Sequence, residues 1–452
     1  MKKKRFALST VQVIMLSFFV TILVGSILLA LPISSADGKA IPYIDALFTA
    51  TTATCVTGLV TLPTVTTWSV FGQAVILVLI QIGGLGVITI ASGIMIALNK
   101  KMGLGDRILI QDAFNLNTLS GLIKFVKKVI VGTFIVEGIG ALLYMVVFVP
   151  EFGFEGVWIS IFTSISAFCN AGIDIISENS LCDYATNPII NAVTCVLIIL
   201  GGIGYIVWWD FARVIKNSKK FSIKSLRNLT LHSKIALWTT GILIFAGAIA
   251  VFLFEYNNPA TMKDYSLFEK IQASFFQSVT TRTAGFATIP QQDLMNSTSI
   301  VSLLLMFIGG SPVGTAGGIK TVTFAVIIAS AACTIRNKRE VSLFNRTIPS
   351  YAVSKAAAVI CMSFIIMFTS TVLLSAVTDA SALDIIYETV SATATVGLTR
   401  NLTPMLNTWG KLIIIATMYL GRVGPISLAI AFKIKKESPN IIKNPTEDIS
   451  VG

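Results

Sequence analysis

The sequence predicts an all-α polytopic membrane protein, built from four pseudo-repeated units around a central pore. Each unit is a helix, a pore helix, a loop and a second helix, which makes eight membrane spans and four half-helices in all. The 452 residues are 54% hydrophobic and 12% charged, with a mean hydropathy of +0.82. This is far too apolar for a soluble protein of this size. A short motif that ends in glycine also recurs four times, with glycines 114, 113 and 112 residues apart at 58, 172, 285 and 397.

Eight apolar runs are long enough to cross a bilayer, which takes about 20 helical residues. They cover 11–31, 70–98, 127–149, 189–212, 235–254, 299–332, 354–377 and 409–432. The predicted pore repeats are 11–100, 125–217, 233–336 and 353–436, between an N-terminal segment, 1–10, and a C-terminal tail, 437–452. Lys2–Arg5 with the first run could form a secretory signal, but the first repeat needs this run as its first helix.

The basic residues predict the orientation. The segments expected on one side hold 26 of the 34 Lys and Arg, and the opposite segments hold five. By the positive-inside rule the basic side and both termini are cytoplasmic, in a multi-pass protein of the cell membrane. The net charge of +12 is thus explained by topology, and nucleic acid is not an expected partner. The basic joins, such as 216–227 and 336–346, are expected to lie near anionic lipid.

The acidic residues show the opposite bias, with 14 of 22 in the outer segments. A negatively charged outer mouth concentrates cations and steers them inward. The alternative is that the acids are simply what remains when the basic residues are kept inside.

A short amphipathic run precedes each glycine motif. These runs are Asp45–Ala53, Val157–Ala167, Glu269–Thr280 and Asp384–Ala392. The first has nine residues, about 14 Å of helix, or half of a ~30 Å hydrocarbon core. Irregular backbone at membrane depth is stable only where protein buries it or water reaches it. Four half-helices followed by loops therefore predict a central aqueous cavity, with negative helix ends that favour a cation.

The four loops are the candidate ion-binding segments. They are Thr54-Cys55-Val56-Thr57-Gly58, Phe168-Cys169-Asn170-Ala171-Gly172, Thr281-Arg282-Thr283-Ala284-Gly285 and Thr393-Ala394-Thr395-Val396-Gly397. Successive carbonyls can replace the water of a cation such as K⁺ where glycine permits the required backbone. Val56-Thr57-Gly58 and Thr395-Val396-Gly397 resemble the start of the potassium-channel filter. One such glycine alone is more often a turn or packing residue, whereas four in register favour a filter.

A glycine-rich segment interrupts the run from Ser299 to Ala332, which would be about 50 Å long as a helix. The segment is Gly309-Gly310-Ser311-Pro312-Val313-Gly314-Thr315-Ala316-Gly317-Gly318. Five glycines and a proline disfavour helix, so we predict a re-entrant loop below the filter that acts as a gate. A wide helix kink is the alternative. A phosphate-binding loop is rejected, because Ile319 stands where that motif needs glycine before Lys320.

Other residues carry weaker signals. Arg422 lies within the last apolar run, where it should face a partner or a cavity unless it snorkels. Lys320 is expected to snorkel. Glu137 should form an ion pair or attend a coupling ion. Gly83-Gly84-Leu85-Gly86 and Gly201-Gly202-Ile203-Gly204 occupy matching places in second helices, where small residues permit close helix approach.

Four single-glycine loops, each between two membrane helices, resemble the Trk/Ktr/HKT superfamily of potassium transporters over residues ~11–436. With eight spans and short termini, the chain most resembles the membrane subunit of Ktr systems (KtrB type). The resemblance implies uptake of K⁺ by gated permeation, often with Na⁺ as an activator and without a covalent cofactor. It implies that Gly58, Gly172, Gly285 and Gly397 select K⁺, since sodium-selective relatives carry Ser in the first loop. It also implies that Arg422 lies opposite the gate loop.

The same resemblance implies a homodimer docked on a cytosolic RCK (KTN) nucleotide-binding regulatory subunit. An alternating-access cation symporter is the alternative function, but its usual signature is inverted repeats. Here every repeat begins on the basic side, so the repeats are parallel. An enzyme is not expected, because His232 is the only histidine and no acid–base centre is apparent.

Overall fold

The computed structural model describes residues 9–98, 103–113, 121–218, 223–338 and 340–424, and these are mostly helical. The helices are α1 Thr10–Leu29, α2 Tyr43–Cys55, α3 Thr64–Thr67, α4 Val70–Leu85, α5 Val87–Ala97, α6 Leu104–Ala113, α7 Leu122–Phe152, α8 Glu155–Cys169, α9 Pro188–Gly202, α10 Tyr205–Asn217, α11 Leu231–Glu255, α12 Leu267–Thr280, α13 Asn296–Phe307, α14 Thr321–Ile335, α15 Ser350–Ser375, α16 Ala382–Ala394 and α17 Thr408–Val423. One hairpin pairs β1 Ser342–Leu343 with β2 Arg346–Thr347. Short 3₁₀ turns occur at Pro32–Ser34, Cys182–Tyr184, Ile223–Asn228, Gln291–Asp293 and Thr403–Met405.

Four helices are long and apolar enough to cross a bilayer as single straight segments. They are α1, α7, α11 and α15, with 20, 31, 25 and 26 residues. Each begins one of the four predicted units. Their outer faces expose large apolar side chains such as Ile27, Leu142, Phe245 and Phe368, an arrangement suited to contact with lipid. The prediction of a helical, multi-pass membrane protein is confirmed.

The second helices of the first two units are broken, although we predicted continuous spans there, and that of the third unit is interrupted as predicted. The α4–α5 pair bends by 97° and the α9–α10 pair by 96°, so the described residues contain up to six spans if each pair is counted as one. Gly86 and Gly204 separate the pairs with φ of 85° and 89°, a conformation that favours glycine. Residues 308–320 separate α13 from α14. The predicted span 409–432 continues beyond the described residues.

The pore helices α2, α8, α12 and α16 begin about two residues before the predicted runs, and all but α12 also end two residues after them. Each packs against the first helix of its own unit. The second helix of each unit also packs against the pore helix of the next one, in the pairs α4–α8, α9–α12, α13–α16 and α17–α2. The last pair returns to the first unit. The four units therefore close into a ring, and the ends of the pore helices lie inside it.

Candidate functional site

Each pore helix is followed by a residue in the left-handed backbone conformation. Val56, Asn170 and Thr395 cap α2, α8 and α16 with φ of 55°, 60° and 51°. Thr283, at the matching place in the third unit, has φ of 67°. Each of them lies two residues before the loop glycine. β-Branched residues rarely adopt positive φ, and such strain is concentrated at functional sites. Propensity argues against these conformations at Val56, Thr283 and Thr395, whereas asparagine adopts them more readily.

The four loop glycines lie against one another in a closed ring. Their φ values are 98°, 63°, 85° and 99° for Gly58, Gly172, Gly285 and Gly397. A Cβ on Gly58 would lie 2.5 Å from the Ala171 carbonyl oxygen, and a Cβ on Gly172 would lie 2.5 Å from the Ala284 carbonyl oxygen. A Cβ on Gly285 would lie 2.6 Å from the Val396 carbonyl oxygen, and a Cβ on Gly397 would overlap the Thr57 carbonyl oxygen. Each glycine thus lies against the carbonyl of the residue that precedes the loop glycine of the next unit. We call the four carbonyls of Thr57, Ala171, Ala284 and Val396 the carbonyl ring.

Hydroxyl groups behind the ring hold the loops in place. The Gly58 amide donates to Thr52 Oγ1 at 3.0 Å, and the Gly397 amide donates to Ser391 Oγ at 3.1 Å. In the second unit the Ile173 amide donates to Ser166 Oγ at 3.1 Å. In the third, Thr280 Oγ1 donates to the Phe286 carbonyl at 2.6 Å. Sequence reasoning missed these residues, although a hydroxyl five or six residues before every loop glycine was a detectable signal.

Several polar side chains of the loops are buried but make no hydrogen bond within the described part of the chain. They include the hydroxyls of Thr54, Thr57, Thr393 and Thr395 and the amide of Asn170. Buried polar groups are normally bonded, so these oxygens suit a pathway that holds water or a cation. The donor set is neutral oxygen, which is appropriate for K⁺.

Arg282 belongs to a candidate ion-binding loop, but its side chain is bonded elsewhere. Its Nη1 donates to the Thr240 carbonyl at 3.3 Å, and its Nη2 donates to the Gly309 carbonyl at 2.9 Å. The guanidinium therefore ties the third loop to α11 and to the start of the glycine-rich segment. Only its backbone can serve as an ion ligand.

The glycine-rich segment 309–318 lies directly against the loops. Thr315 Oγ1 donates to the Phe168 carbonyl at 3.0 Å, and the Gly317 amide donates to Thr283 Oγ1 at 3.1 Å. A Cβ on Gly317 would lie 2.6 Å from the Ala394 carbonyl oxygen. The segment thus contacts the second, third and fourth loops. It is irregular backbone between two short helices, in agreement with the predicted loop rather than with a kinked helix.

The segment is also bonded to the broken second helix of the second unit. The Ser311 amide donates to the Gly202 carbonyl at 2.7 Å, and the Tyr205 amide donates to the Val313 carbonyl at 2.9 Å. The break at Gly204 therefore exposes backbone groups that bind the segment. Sequence reasoning assigned these glycines to helix packing alone.

Two cationic side chains are bonded to the segment. Arg422 Nη1 donates to the Thr315 carbonyl at 2.7 Å, and its Nη2 donates to the Gly83 carbonyl at 2.6 Å. Lys320 Nζ donates to the Ala316 carbonyl at 2.6 Å. The Lys320 amine is bonded to carbonyls of the segment, in contrast to the expectation that it snorkels. Positive charge beside the segment opposes passage of a cation.

The small residues of the second helices lie under the pore-helix ends. A Cβ on Gly83, Gly201 or Gly421 would overlap the carbonyl oxygen of Thr54, Phe168 or Thr393, respectively. Close approach was predicted for the first two. The partner in each case is the start of a candidate ion-binding loop.

Glu137 is buried behind the second loop without an ion pair in the described part of the chain. Its Oε2 accepts a hydrogen bond from Gln81 Nε2 at 3.1 Å, and the Cys169 thiol lies 3.8 Å from its Oε1. The expected ion pair is therefore not formed there. Glu137 instead connects α7, α4 and the end of α8.

The segments predicted to face outward contain both paired and unpaired acids. Arg400 pairs with Asp384 at 2.7 Å, and Lys411 pairs with Asp45 at 2.6 Å. Asp174, two residues after Gly172, forms no ion pair with the described residues. Burial raises the pKa of its carboxyl to about 6. Part of the negative charge predicted for the outer mouth is thus neutralised by structural pairs.

The chain is similar in sequence and in structure to known proteins. The family TrkH, described as "Cation transport protein", matches residues 2–444. The Ktr system potassium uptake protein B of Bacillus subtilis is 42% identical over 442 residues, 98% of this chain and 96% of its own length. The potassium/sodium uptake protein NtpJ of Enterococcus hirae is 39% identical, over 100% and 99% of the two chains. The structure of the potassium transporter TrkH from Vibrio parahaemolyticus has a TM-score of 0.76 at 16% identity, covering 96% and 86%.

Proposed function

This chain belongs to the TrkH family of cation transport proteins, and we propose that it is the ion-translocating membrane subunit of a potassium uptake system. The family consists of transporters and not of enzymes. The observation that carries the proposal is the carbonyl ring, in which each of four loop glycines faces a carbonyl of the next unit. Both full-length relatives described above are also named as uptake proteins for potassium or for potassium and sodium.

We propose that the carbonyl ring and the loop hydroxyls select the ion. A K⁺ ion that leaves the outer mouth loses water there, and oxygens of four loops replace its hydration shell. The positive φ at every loop glycine lets the backbone present these oxygens without a side chain between neighbouring loops. The membrane potential supplies ~2.3 kcal/mol per charge per 100 mV, which drives uptake without ATP.

The segment 309–318 is the proposed gate. It occupies the space against three loops, and Arg422 and Lys320 add positive charge beside it. Conduction then requires the segment to move, which breaks the bonds to Phe168, Thr283 and Gly202. We propose that a cytosolic RCK (KTN) subunit on a homodimer of this chain controls that movement, and that Na⁺ stimulates it. An alternating-access symporter is less favoured. Its usual signature is inverted repeats, whereas the four units here follow one another in the same direction around the ring.

The test is potassium uptake in cells that lack their own uptake systems, with and without a matching RCK subunit. Gly58→Ser places a side chain against the Ala171 carbonyl and should lower the preference for K⁺ over Na⁺ at least severalfold. Gly241→Ala is the matched control, because a Cβ there meets no atom within 4 Å. Absence of K⁺ flux from the membrane-inserted parent chain in both conditions would reject the proposed function. Equal selectivity in parent and Gly58→Ser would remove the carbonyl ring from it.

A further inference from the structure

The hairpin between α14 and α15 carries a strained aromatic residue at its tip. Its two strands pair Ser342 with Thr347 and Leu343 with Arg346. The two turn residues, Phe344 and Asn345, have φ of 50° and 59°. Two-residue turns with positive φ at both positions strongly favour Asn and Gly. Asn345 follows this preference, whereas a bulky aromatic residue in this conformation is an outlier.

Packing of the Phe344 ring does not explain the strain, because the residue is 45% exposed. The base of the hairpin is packed against α14 and α15. Ile348 is buried against Val326 and Ala356, with Val341 and Leu343 beside them. The Ile348 amide donates to the Val341 carbonyl at 2.8 Å. The hairpin therefore holds an aromatic side chain outward, and strain of this kind points to a function of the side chain.

The surroundings of the tip are basic. Residues 336–346 contain the basic residues Arg336, Lys338, Arg339 and Arg346 and one acid, Glu340. Arg336, Lys338 and Arg346 are exposed, and Arg339 lies outside the described residues. Glu340 accepts a hydrogen bond from Thr347 Oγ1 at 3.1 Å, which keeps its carboxylate on the hairpin. The exposed surface around Phe344 thus carries an excess of positive charge.

The hairpin lies between the end of the apolar helix α14 and the start of α15, which is long enough to span a bilayer. Ile335, the last residue of α14, is 83% exposed, and Tyr351, at the start of α15, is 71% exposed. Further along α15, Phe364 and Phe368 are exposed on the lipid-facing side. Ile335 and Tyr351 thus place exposed apolar side chains directly beside the hairpin, at the end of α14 and the start of α15. A bilayer surface matches this combination, because it offers an apolar interior to these side chains and anionic headgroups to the basic residues of the tip.

We propose that Phe344, Arg336, Lys338 and Arg346 form a binding surface for the headgroups of anionic phospholipids. A phenylalanine ring beside basic residues can be buried at the boundary of headgroups and acyl chains, and basic groups close to an anionic surface are attracted to its phosphates. Because α14 begins next to the segment 309–318, this surface fixes the helix that leaves the proposed gate. The lipid contact itself does not depend on the proposed transport function.

The test uses the purified full chain in mixed micelles that contain either phosphatidylglycerol or phosphatidylcholine. The midpoint of thermal unfolding should rise with phosphatidylglycerol, and native mass spectrometry should show bound phosphatidylglycerol. Phe344→Asn and the double variant K338Q/R346Q should each lose at least half of this rise. Asparagine suits the turn, so F344N removes the aromatic ring without adding strain. K39Q/K263Q removes the same charge from exposed residues on the opposite side and should keep the full rise.

Equal rises in all variants, or an equal rise with phosphatidylcholine, would overturn the proposal. Glycerol phosphate at the same concentration separates a lipid headgroup from a free phosphate, and an equal rise with it would also contradict a lipid surface. If F344N instead abolished co-purification of a cytosolic subunit and left lipid binding unchanged, the surface would be a protein docking site. No readout in this experiment requires ion flux, so its failure is distinct from failure of the proposed function.

Discussion

The guanidinium of Arg422 donates to the carbonyl oxygen of Thr315 at 2.7 Å. Arg422 belongs to the last helix and Thr315 to the loop that separates α13 from α14. The same guanidinium reaches the Gly83 carbonyl at 2.6 Å, at the end of α4. One side chain therefore joins the fourth unit, the intramembrane segment and the first unit. Under the proposed function, its charge would lie beside the gate.

Arg422→Ala should increase potassium uptake by the chain in the absence of a regulatory subunit, roughly severalfold. The substitution removes two hydrogen bonds from a charged donor, each worth about 1.5–3 kcal/mol, and removes the positive charge beside the segment. Uptake of K⁺ in deficient cells measures the change. Arg107→Ala, at an exposed arginine of α6, is the control. Unchanged or lower uptake by a folded R422A protein would contradict the gate assignment.

Thr315→Val should also favour the open segment, but less than R422A. It removes the hydrogen bond from Thr315 Oγ1 to the Phe168 carbonyl at 3.0 Å and keeps the side-chain volume. A neutral hydrogen bond contributes about 0.5–1.5 kcal/mol, so we expect a change in uptake of about two- to tenfold. Thr315→Ser keeps the hydroxyl and should restore the parent behaviour. The same rise in both variants would show that the hydroxyl is not responsible.

Thr52→Ala should reduce discrimination between K⁺ and Na⁺. The Gly58 amide loses its acceptor at 3.0 Å, which frees the first loop to move relative to the carbonyl ring. Ser391→Ala should act in the same way through the Gly397 amide. Competition of Na⁺ with K⁺ uptake measures the effect, and we expect a change of about tenfold or less. Ser354→Ala, at an exposed hydroxyl of α15, should leave it unchanged.

The sequence predicted the parts of the site that repeat. Gly58, Gly172, Gly285 and Gly397 are evenly spaced, and each follows a run too short to span a bilayer. It did not predict the left-handed Val56 and Thr395, because local propensity argues against positive φ at β-branched residues. Only tertiary packing around the loops can hold them there.

The breaks in the second helices of the first two units were missed for a related reason. Gly86 lies inside an apolar run, and one glycine in such a run does not by itself indicate a bend of 97°. The bond from Thr315 to Phe168 spans 147 residues, so no local pattern reveals it. Arg422 was identified because an intramembrane charge is rare. Lys320 was misassigned because its acceptor is a loop carbonyl that periodicity does not describe.

Asp174→Asn should stabilise the protein near neutral pH and have little effect in acid. Burial raises the pKa of the Asp174 carboxyl from 3.8 to about 6, so the folded state holds this proton more tightly than the unfolded state. The stability from that proton is fully present below about pH 4 and is lost as the pH rises through about 6. A shift of this size corresponds to about 3 kcal/mol at most. Thermal unfolding from pH 4 to 8 measures it, with Asp183→Asn, at an exposed acid nearby, as the control for general charge. If D174N stabilised the protein equally at every pH, the ionised carboxylate would not be what destabilises the parent near neutral pH.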